Sequence, residues 1–253
     1  MKKTLWLMVA LLLFQLTPSA QLAFDAASVK ENTTGVAGNR MQLMPGGGVN
    51  IEHMLARFLI SIAYDLKGFQ LIGGPDWASD TYYDVNAKPA GTATRQQTFT
   101  MLQTLLVDRF SLTFHRETRD VDGFALVQAK PGTIGRHLLR SEVDCEKAFA
   151  SSPRCKEGGI NMSPTGTSIK AVGAQIWSLL EVVISQLDAP VIDDTRLSGP
   201  FDFEVQWSND VAPAGELPSI YTALQEQLGL KLEKRRVPVE MFVVDRFERP
   251  SRD

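Results

Sequence analysis

The sequence predicts an α+β protein built as a tandem duplication of one small unit, strand–helix–strand–helix–strand–strand, with mixed or antiparallel sheets. Three observations carry this. Two strand-like segments share one pattern, Tyr83-Asp84-Val85-Asn86-Ala87 and Phe201-Asp202-Phe203-Glu204-Val205. Two turn-rich segments, MQLMPGGGVN at 41–50 and INMSPTGTSI at 160–169, each lead into an apolar stripe of helical spacing. Two leucine-rich stretches, carrying Leu102-Gln103 and Leu224-Gln225, each run into a pair of strand-like segments. Self-similarity at a fixed spacing signals a repeated structural unit, and mixed strands and helices with hairpins signal helices packed on antiparallel or mixed sheets.

The N-terminus comes first in order. Lys2 and Lys3 precede an apolar run from Leu5 to Leu16, and Pro18, Ser19 and Ala20 close the segment. A basic start, a short apolar core and small residues at the end form a secretory signal peptide over residues 1–20. The run is too short to span a bilayer, which takes roughly 20 apolar residues. No later segment is a transmembrane candidate, so the reading is an exported protein, periplasmic or secreted. The exact cleavage point stays open between Ala20 and Ala23.

The first repeat is expected over 24–131. Its first helix carries Ile51, Leu55, Phe58, Leu59 and Ile62, a spacing that puts them on one face. Pro45-Gly46-Gly47-Gly48 reads as the strand-to-helix turn before it, with Asn50 as N-cap. The turn lacks the G-x-x-x-x-G-K-[ST] pattern of a phosphate cradle. The 83–87 segment alternates as a half-buried strand does. The second helix carries Phe99, Leu102, Leu106 and Phe110. A hairpin over 110–130, turning near Asp122-Gly123, closes the unit.

Residues 132–158 read as a linker. They hold Cys145 and Cys155, the only two cysteines. An even count in an exported chain argues for a disulfide between them. The second repeat is expected over 159–250. Its first helix carries Val172, Ile176, Leu179, Leu180 and Val183, and its second carries Ile220, Leu224 and Leu228. A hairpin over 230–247 turns near Val237-Pro238, with Lys234-Arg235-Arg236 close to its tip.

Each half resembles the short N-terminal signalling domain of secretins and TonB-dependent receptors. The second half shows this best in ALQEQLGLKLEKRRVPVEMFVV. The whole mature chain resembles a soil-associated family of exported bacterial proteins of unknown function. The residues that carry this are FDAASVK at 24–30, FQLIGGPDWASDTYYDVNAK at 69–88, MLQTLLVDRFSLTFHRETRD at 101–120, PVIDDTRLSGPFDFEVQW at 190–207 and LQEQLGLKLEKRRVPVEMFVVD at 224–245. Where that family places Pro-Val before the return strand, this chain has Asp122-Gly123, which puts the hairpin turn in doubt. Some members carry this region beside a membrane-bound metallopeptidase; this chain has no H-E-x-x-H motif.

Composition narrows the function. A net charge of −3 and a 44% apolar content describe a globular chain without the basic excess that nucleic acid demands. The three histidines, His53, His115 and His137, lie in no nucleophile motif. His53 is placed on the first helix and His115 in a strand. Asp193 and Asp194 are adjacent, which in a strand sends them to opposite faces; a turn with one aspartate capping backbone amides is the better reading. The loop Gly73-Gly74-Pro75-Asp76-Trp77 is the candidate ligand or partner site, because Trp77 offers a broad apolar face and one N–H. A Trp that plugs the core beneath the loop is the favoured reading of Trp77 itself, and the loop is the candidate if a site exists. No catalytic residue, metal ligand or cofactor is assigned. The expected function is a non-enzymatic binding or envelope-sensing module, with an envelope protein or small ligand as partner. The alternative is a hydrolase-type enzyme with a site between the repeats.

Overall fold

A computed structural model describes residues 22–34, 39–148, 152–163, 165–208 and 217–250. The signal peptide expected at 1–20 lies outside the described residues. No described helix is long and apolar enough to cross a membrane. The chain is an α+β protein whose described residues fall into two compact units that are not consecutive in sequence. One draws on 22–64, 77–111 and 248–250, the other on 65–76 and 112–247.

The first unit holds an antiparallel sheet of four strands: β1 (Ala26–Glu31), β2 (Arg40–Leu43), β3 (Val49–Leu55) and β5 (Tyr82–Lys88), in the order β1-β5-β3-β2. Its helices are α1 (Ala56–Tyr64) and α2 (Arg95–Phe110). Strand alternation turns Val49, Ile51, Tyr83, Val85 and Ala87 inward, where all are buried. A capping box opens α2: the Gln97 N–H donates to Thr94 Oγ1, and the Thr94 N–H donates to Gln97 Oε1. Leu102, Leu106 and Phe110 are buried as the stripe requires, and Phe110 meets the edge of Tyr83 at 5.2 Å.

Two expectations are corrected here. Ile51 and Leu55 belong to β3, and the helix begins only at Ala56, so Phe58 is 43% exposed and the buried face is Ala56, Leu59, Ile60 and Ala63. The glycine-rich turn joins β2 to β3, a strand-to-strand turn, and Asn50 lies within β3. Gly47 has φ +88, and a Cβ there would sit 2.6 Å from Ala93, so the turn is pressed against the segment that leads into α2.

The second unit holds two sheets. One is antiparallel, β7 (Leu138–Arg140), β8 (Gly159–Met162), β9 (Gly166–Ala174) and β11 (Phe201–Ser208), in the order β7-β11-β9-β8. The other runs β10-β6-β12-β4, from β4 (Leu71–Gly73), β6 (Thr113–Gln128), β10 (Val191–Asp193) and β12 (Leu230–Arg246). Short α3 (Cys145–Ala148), then α4 (Ile176–Leu187), and then α5 (Ile220–Ala223) continued by a π turn over Leu224–Leu228, complete the unit. Ile176, Leu179, Leu180 and Val183 of α4 form one core with Phe201, Phe203, Val205 and Trp207 of β11. Val172 lies in β9, ahead of the helix.

The expected hairpins are absent. β6 and β12 are single long strands that pair antiparallel with each other from Leu230↔Gln128 to Arg246↔Thr113. Asp122, Gly123, Val237 and Pro238 are interior ladder positions, and Lys234-Arg235-Arg236 faces Phe124, Gly123 and Asp122. The register explains the misleading glycine: a Cβ on Gly123 would meet the Pro190 carbonyl oxygen at 2.6 Å, so a close approach by the chain entering β10 demands it. The outer strands are parallel additions, β10 beside Phe124–Leu126 and β4 beside Phe242–Val244.

Candidate functional site

The shared aromatic-aspartate pattern has a backbone purpose. β3 is bulged between Ile51 and Met54 against β5, and β9 is bulged opposite Phe201–Phe203 of β11. At each bulge one residue takes a left-handed conformation, His53 at φ 51 and Gly173 at φ 60. Its amide donates to the aspartate of the neighbouring strand: the His53 N–H to Asp84 Oδ1 at 2.8 Å, and the Gly173 N–H to Asp202 Oδ1 at 2.8 Å. Asn32 Nδ2 also donates to Asp84, at 2.8 and 3.0 Å to its two oxygens. Arg154 donates to Asp202 Oδ2 at 2.7 Å. Burial pushes the Asp202 carboxyl up, but hydrogen bonds from Ser141 and the Gly173 amide, with the Arg154 charge, outweigh it and hold the group below its ordinary value. These carboxylates are occupied in satisfying an unpaired bulge amide.

The histidines are likewise placed. His53 stacks on Tyr82 with ring centroids 4.0 Å apart. It lies in β3, not on a helix. His115 lies in β6 as expected, with Nδ1 2.8 Å from Asp245 across the ladder, and both side chains are about half exposed. The Arg136 Nε–H donates to His137 Nε2 at 3.0 Å. Asp193 Oδ1 accepts from the Thr195 N–H at 2.8 Å, as a turn-capping aspartate does, and Asp194 pairs with Arg235 at 2.9 Å. Among the described residues, no group of three or more His, Cys, Asp or Glu could hold a metal ion.

The residues of the glycine loop have separate environments. Gly73 (φ +76) closes β4 opposite Val244, and a Cβ there would meet the Val244 carbonyl oxygen at 3.0 Å. Gly74 (φ +85) lies against the Val244 side chain. Pro75 and Asp76 end that stretch of the second unit, and Asp76 opens a 3-10 turn, Asp76–Ser79. Trp77 belongs to the first unit. It is half-buried, with the Tyr83 ring edge-on at 6.4 Å and the Arg249 guanidinium 4.9 Å above its face.

A different feature has the shape of a binding site. Cys145 and Cys155 are disulfide-bonded, with Cα atoms 5.5 Å apart. The excursion they close is seated on the β9 bulge: a Cβ at Gly173 would meet Val143 O at 2.5 Å and Cys145 Sγ at 2.6 Å. Arg154, on the same excursion, provides the ion pair to Asp202. Between this excursion, the β8–β9 edge and α4 lies an open groove of about 400 Å³. Its apolar lining includes Ile160, Ile169, Val172, Trp177, Val182 and Phe203. Glu146 and Lys170 are its ionisable side chains, and Glu146 Oε1 accepts from the Trp177 indole N–H at 2.6 Å.

The groove exists because α4 does not reach over β8. Ile160 pairs directly with Ile169, which is buried, yet Ile160 is 55% exposed. Met162, on the same inward face, is 73% exposed, and Trp177 is 56% exposed. The volume falls in the range of small-molecule and side-chain pockets, and the mostly apolar lining with a few polar groups is what such sites share. Sequence reading missed it. The available signal was Trp177, a large aromatic one position off the buried stripe of its helix, and the uncharged strand Gly159-Ile160-Asn161-Met162.

Fold and site together define an α+β protein that presents an uncovered apolar groove beside a disulfide-pinned excursion. Residues 57–247 match the family described as Protein of unknown function (DUF3738), and the chain belongs to that family. No curated protein and no solved structure matches it significantly.

Proposed function

We propose that the protein is an exported, non-enzymatic interaction module that binds through the groove between β8 and α4. The observation that carries this is the exposure of Ile160 and Trp177 in one apolar cleft, with Met162 exposed two residues along the same strand from Ile160. Exposed apolar side chains gathered at one place mark binding surfaces, whereas scattered ones do not. The disulfide supports export, since such bonds persist in oxidising compartments, and so does the basic-apolar-small pattern of residues 1–20. The carboxylates Asp84 and Asp202 are engaged with bulge amides, which supports a structural role for the most repeated acidic position. The matching strand orders of the two antiparallel sheets support a duplicated unit.

The test is a titration of the mature chain, beginning at Gln21, with anilinonaphthalene sulfonate. The expected result is saturable binding by the folded protein with energy transfer from tryptophan, binding abolished in Ile160→Asp and transfer reduced in Trp177→Phe, since Trp207 stays in the neighbouring core. Equal binding by Ile160→Asp, or none by the folded wild type, contradicts the groove assignment. Fractionation of cells producing the full chain checks export: a processed form outside the cytoplasm is expected, and an unprocessed cytoplasmic chain contradicts it.

A further inference from the structure

We infer that a second copy of this chain pairs with β8, joining two antiparallel sheets edge to edge about a two-fold axis through Asn161; this rests on the groove reading above and names its partner. The first support is the character of the edge. Sheet edges are normally protected by charge, proline or a covering element. Of the outer strands, β1, β2, β7 and β10 each carry a charged residue, among them Lys30, Arg40, Arg140 and Asp193; β4, Leu71–Gly73, carries none but is only three residues long with Leu71 buried. β8, Gly159–Met162, carries no charge and no proline, and all four of its residues are exposed.

The second support is the phase of the ladder. The Ser163 N–H donates to the Gly166 carbonyl at 2.9 Å, so Ser163 and Gly166 form a hydrogen-bonded pair. The β8–β9 register then runs without interruption through Met162↔Thr167, Asn161↔Ser168 and Ile160↔Ile169. Pair types alternate in an antiparallel ladder. Met162 and Ile160 are therefore the residues whose backbone N–H and C=O groups point away from β9, toward the open edge. Asn161 turns its backbone inward to β9.

The third support is self-complementarity. A two-fold at Asn161 sets Ile160 against Met162 of the partner subunit as a hydrogen-bonded pair, and Met162 against the partner's Ile160. Each open-edge amide and carbonyl of the two residues then finds its mate. Both apolar side chains lie on the inward face, so the partner's Met162 lands beside Ile160 at the mouth of the groove. On the outer face the two Asn161 amides meet, and no like charges are opposed. An isologous contact of this kind closes as a dimer without leaving a free edge to propagate.

The test is sedimentation velocity of the mature chain across a concentration series, with Met162→Lys and oxidised Asn161→Cys alongside. Asn161 would be a non-hydrogen-bonded pair across the axis, where Cα atoms approach to about 4.5 Å, within disulfide reach. The expected results are a concentration-dependent monomer–dimer equilibrium and its loss in Met162→Lys. Asn161→Cys is expected to give a covalent dimer whose cross-linked peptide contains position 161 from both chains, while Glu204→Cys on the interior strand β11 gives none. A chain that stays monomeric at hundreds of micromolar, or a dimer that survives Met162→Lys and is not trapped by Asn161→Cys, overturns the inference. If the monomeric chain still binds anilinonaphthalene sulfonate through Ile160, this inference fails and the groove reading stands; if neither is seen, both fail.

Discussion

Replacing Gly173 by Ala tests how the disulfide excursion is held. Gly173 has φ +60, a conformation that costs an L-residue about 1–2 kcal/mol. The added Cβ would lie 2.5 Å from Val143 O and 2.6 Å from Cys145 Sγ. Neither neighbour is the far end of a flexible side chain: one is backbone, the other belongs to a cross-link. Relieving such overpacking costs about 1–3 kcal/mol. The expected loss is about 2–5 kcal/mol, the sum of the two effects, read by urea denaturation of the oxidised mature chain with tryptophan fluorescence. His53→Gly at the first bulge is the comparison. It relieves about 1 kcal/mol of left-handed strain and forfeits a stack on Tyr82 worth about 0.5–1.5 kcal/mol. The net change should therefore lie near zero. A Gly173→Ala loss below about 0.5 kcal/mol, the range of ordinary surface changes, refutes the seating of the excursion on the bulge.

Further outcomes follow from the same geometry. Asp202 has a lowered pKa in the folded chain, so the stability it contributes is present above its unfolded value, about 3.9, and is lost as pH falls through the folded value. Asp202→Asn should lower neutral-pH stability by about 1.5–3 kcal/mol, the range for a hydrogen bond to a charged group, and flatten the acid limb of a stability–pH curve; an unchanged limb contradicts the assignment. Cys145→Ser with Cys155→Ser should cost about 3 kcal/mol by the chain-entropy account of so short a loop. That double variant should also broaden Trp177 emission as Glu146 loses its fixed place, and unchanged denaturation and emission would speak against a wall built by the disulfide. Gly73→Ala should destabilise by about 1–3 kcal/mol through left-handed strain and approach to Val244 O, measured by thermal unfolding, and a neutral result would mean that β4 is not pressed against β12.

Sequence pattern resolves the parts of this fold whose determinants are local. The stripe Ile176–Leu179–Leu180–Val183 marks α4, and Tyr83–Ala87 and Phe201–Val205 mark two central strands, because their periodicity is set by burial on one face. The start of α1 was obscured because the bulge at His53 breaks the alternation of β3, so that Ile51 and Leu55 fall by accident at helical spacing from Leu59 and Ile62. The paired long strands were obscured for a different reason. Their partners are about a hundred residues away in sequence, and the turn-like Asp122-Gly123 and Val237-Pro238 are accommodated by that distant pairing. Gly123 admits the Pro190 carbonyl, and Pro238 opposite Asp120 requires its nitrogen to face away from the β6 ladder. The groove was the least legible feature, since it depends on how far α4 extends over an edge strand, a matter of packing that no local pattern records.

The most direct measurement of the central claim is amide hydrogen exchange over residues 158–163 in dilute and concentrated protein. The open-edge amides of Ile160 and Met162 are unpaired in the isolated chain and paired when β8 meets its copy. The account predicts rapid exchange at these two amides in dilute solution and marked slowing on concentration, with Asn161, already bonded to β9, changing far less. Equal and rapid exchange at both concentrations, or slowing that spares Ile160 and Met162, would contradict it.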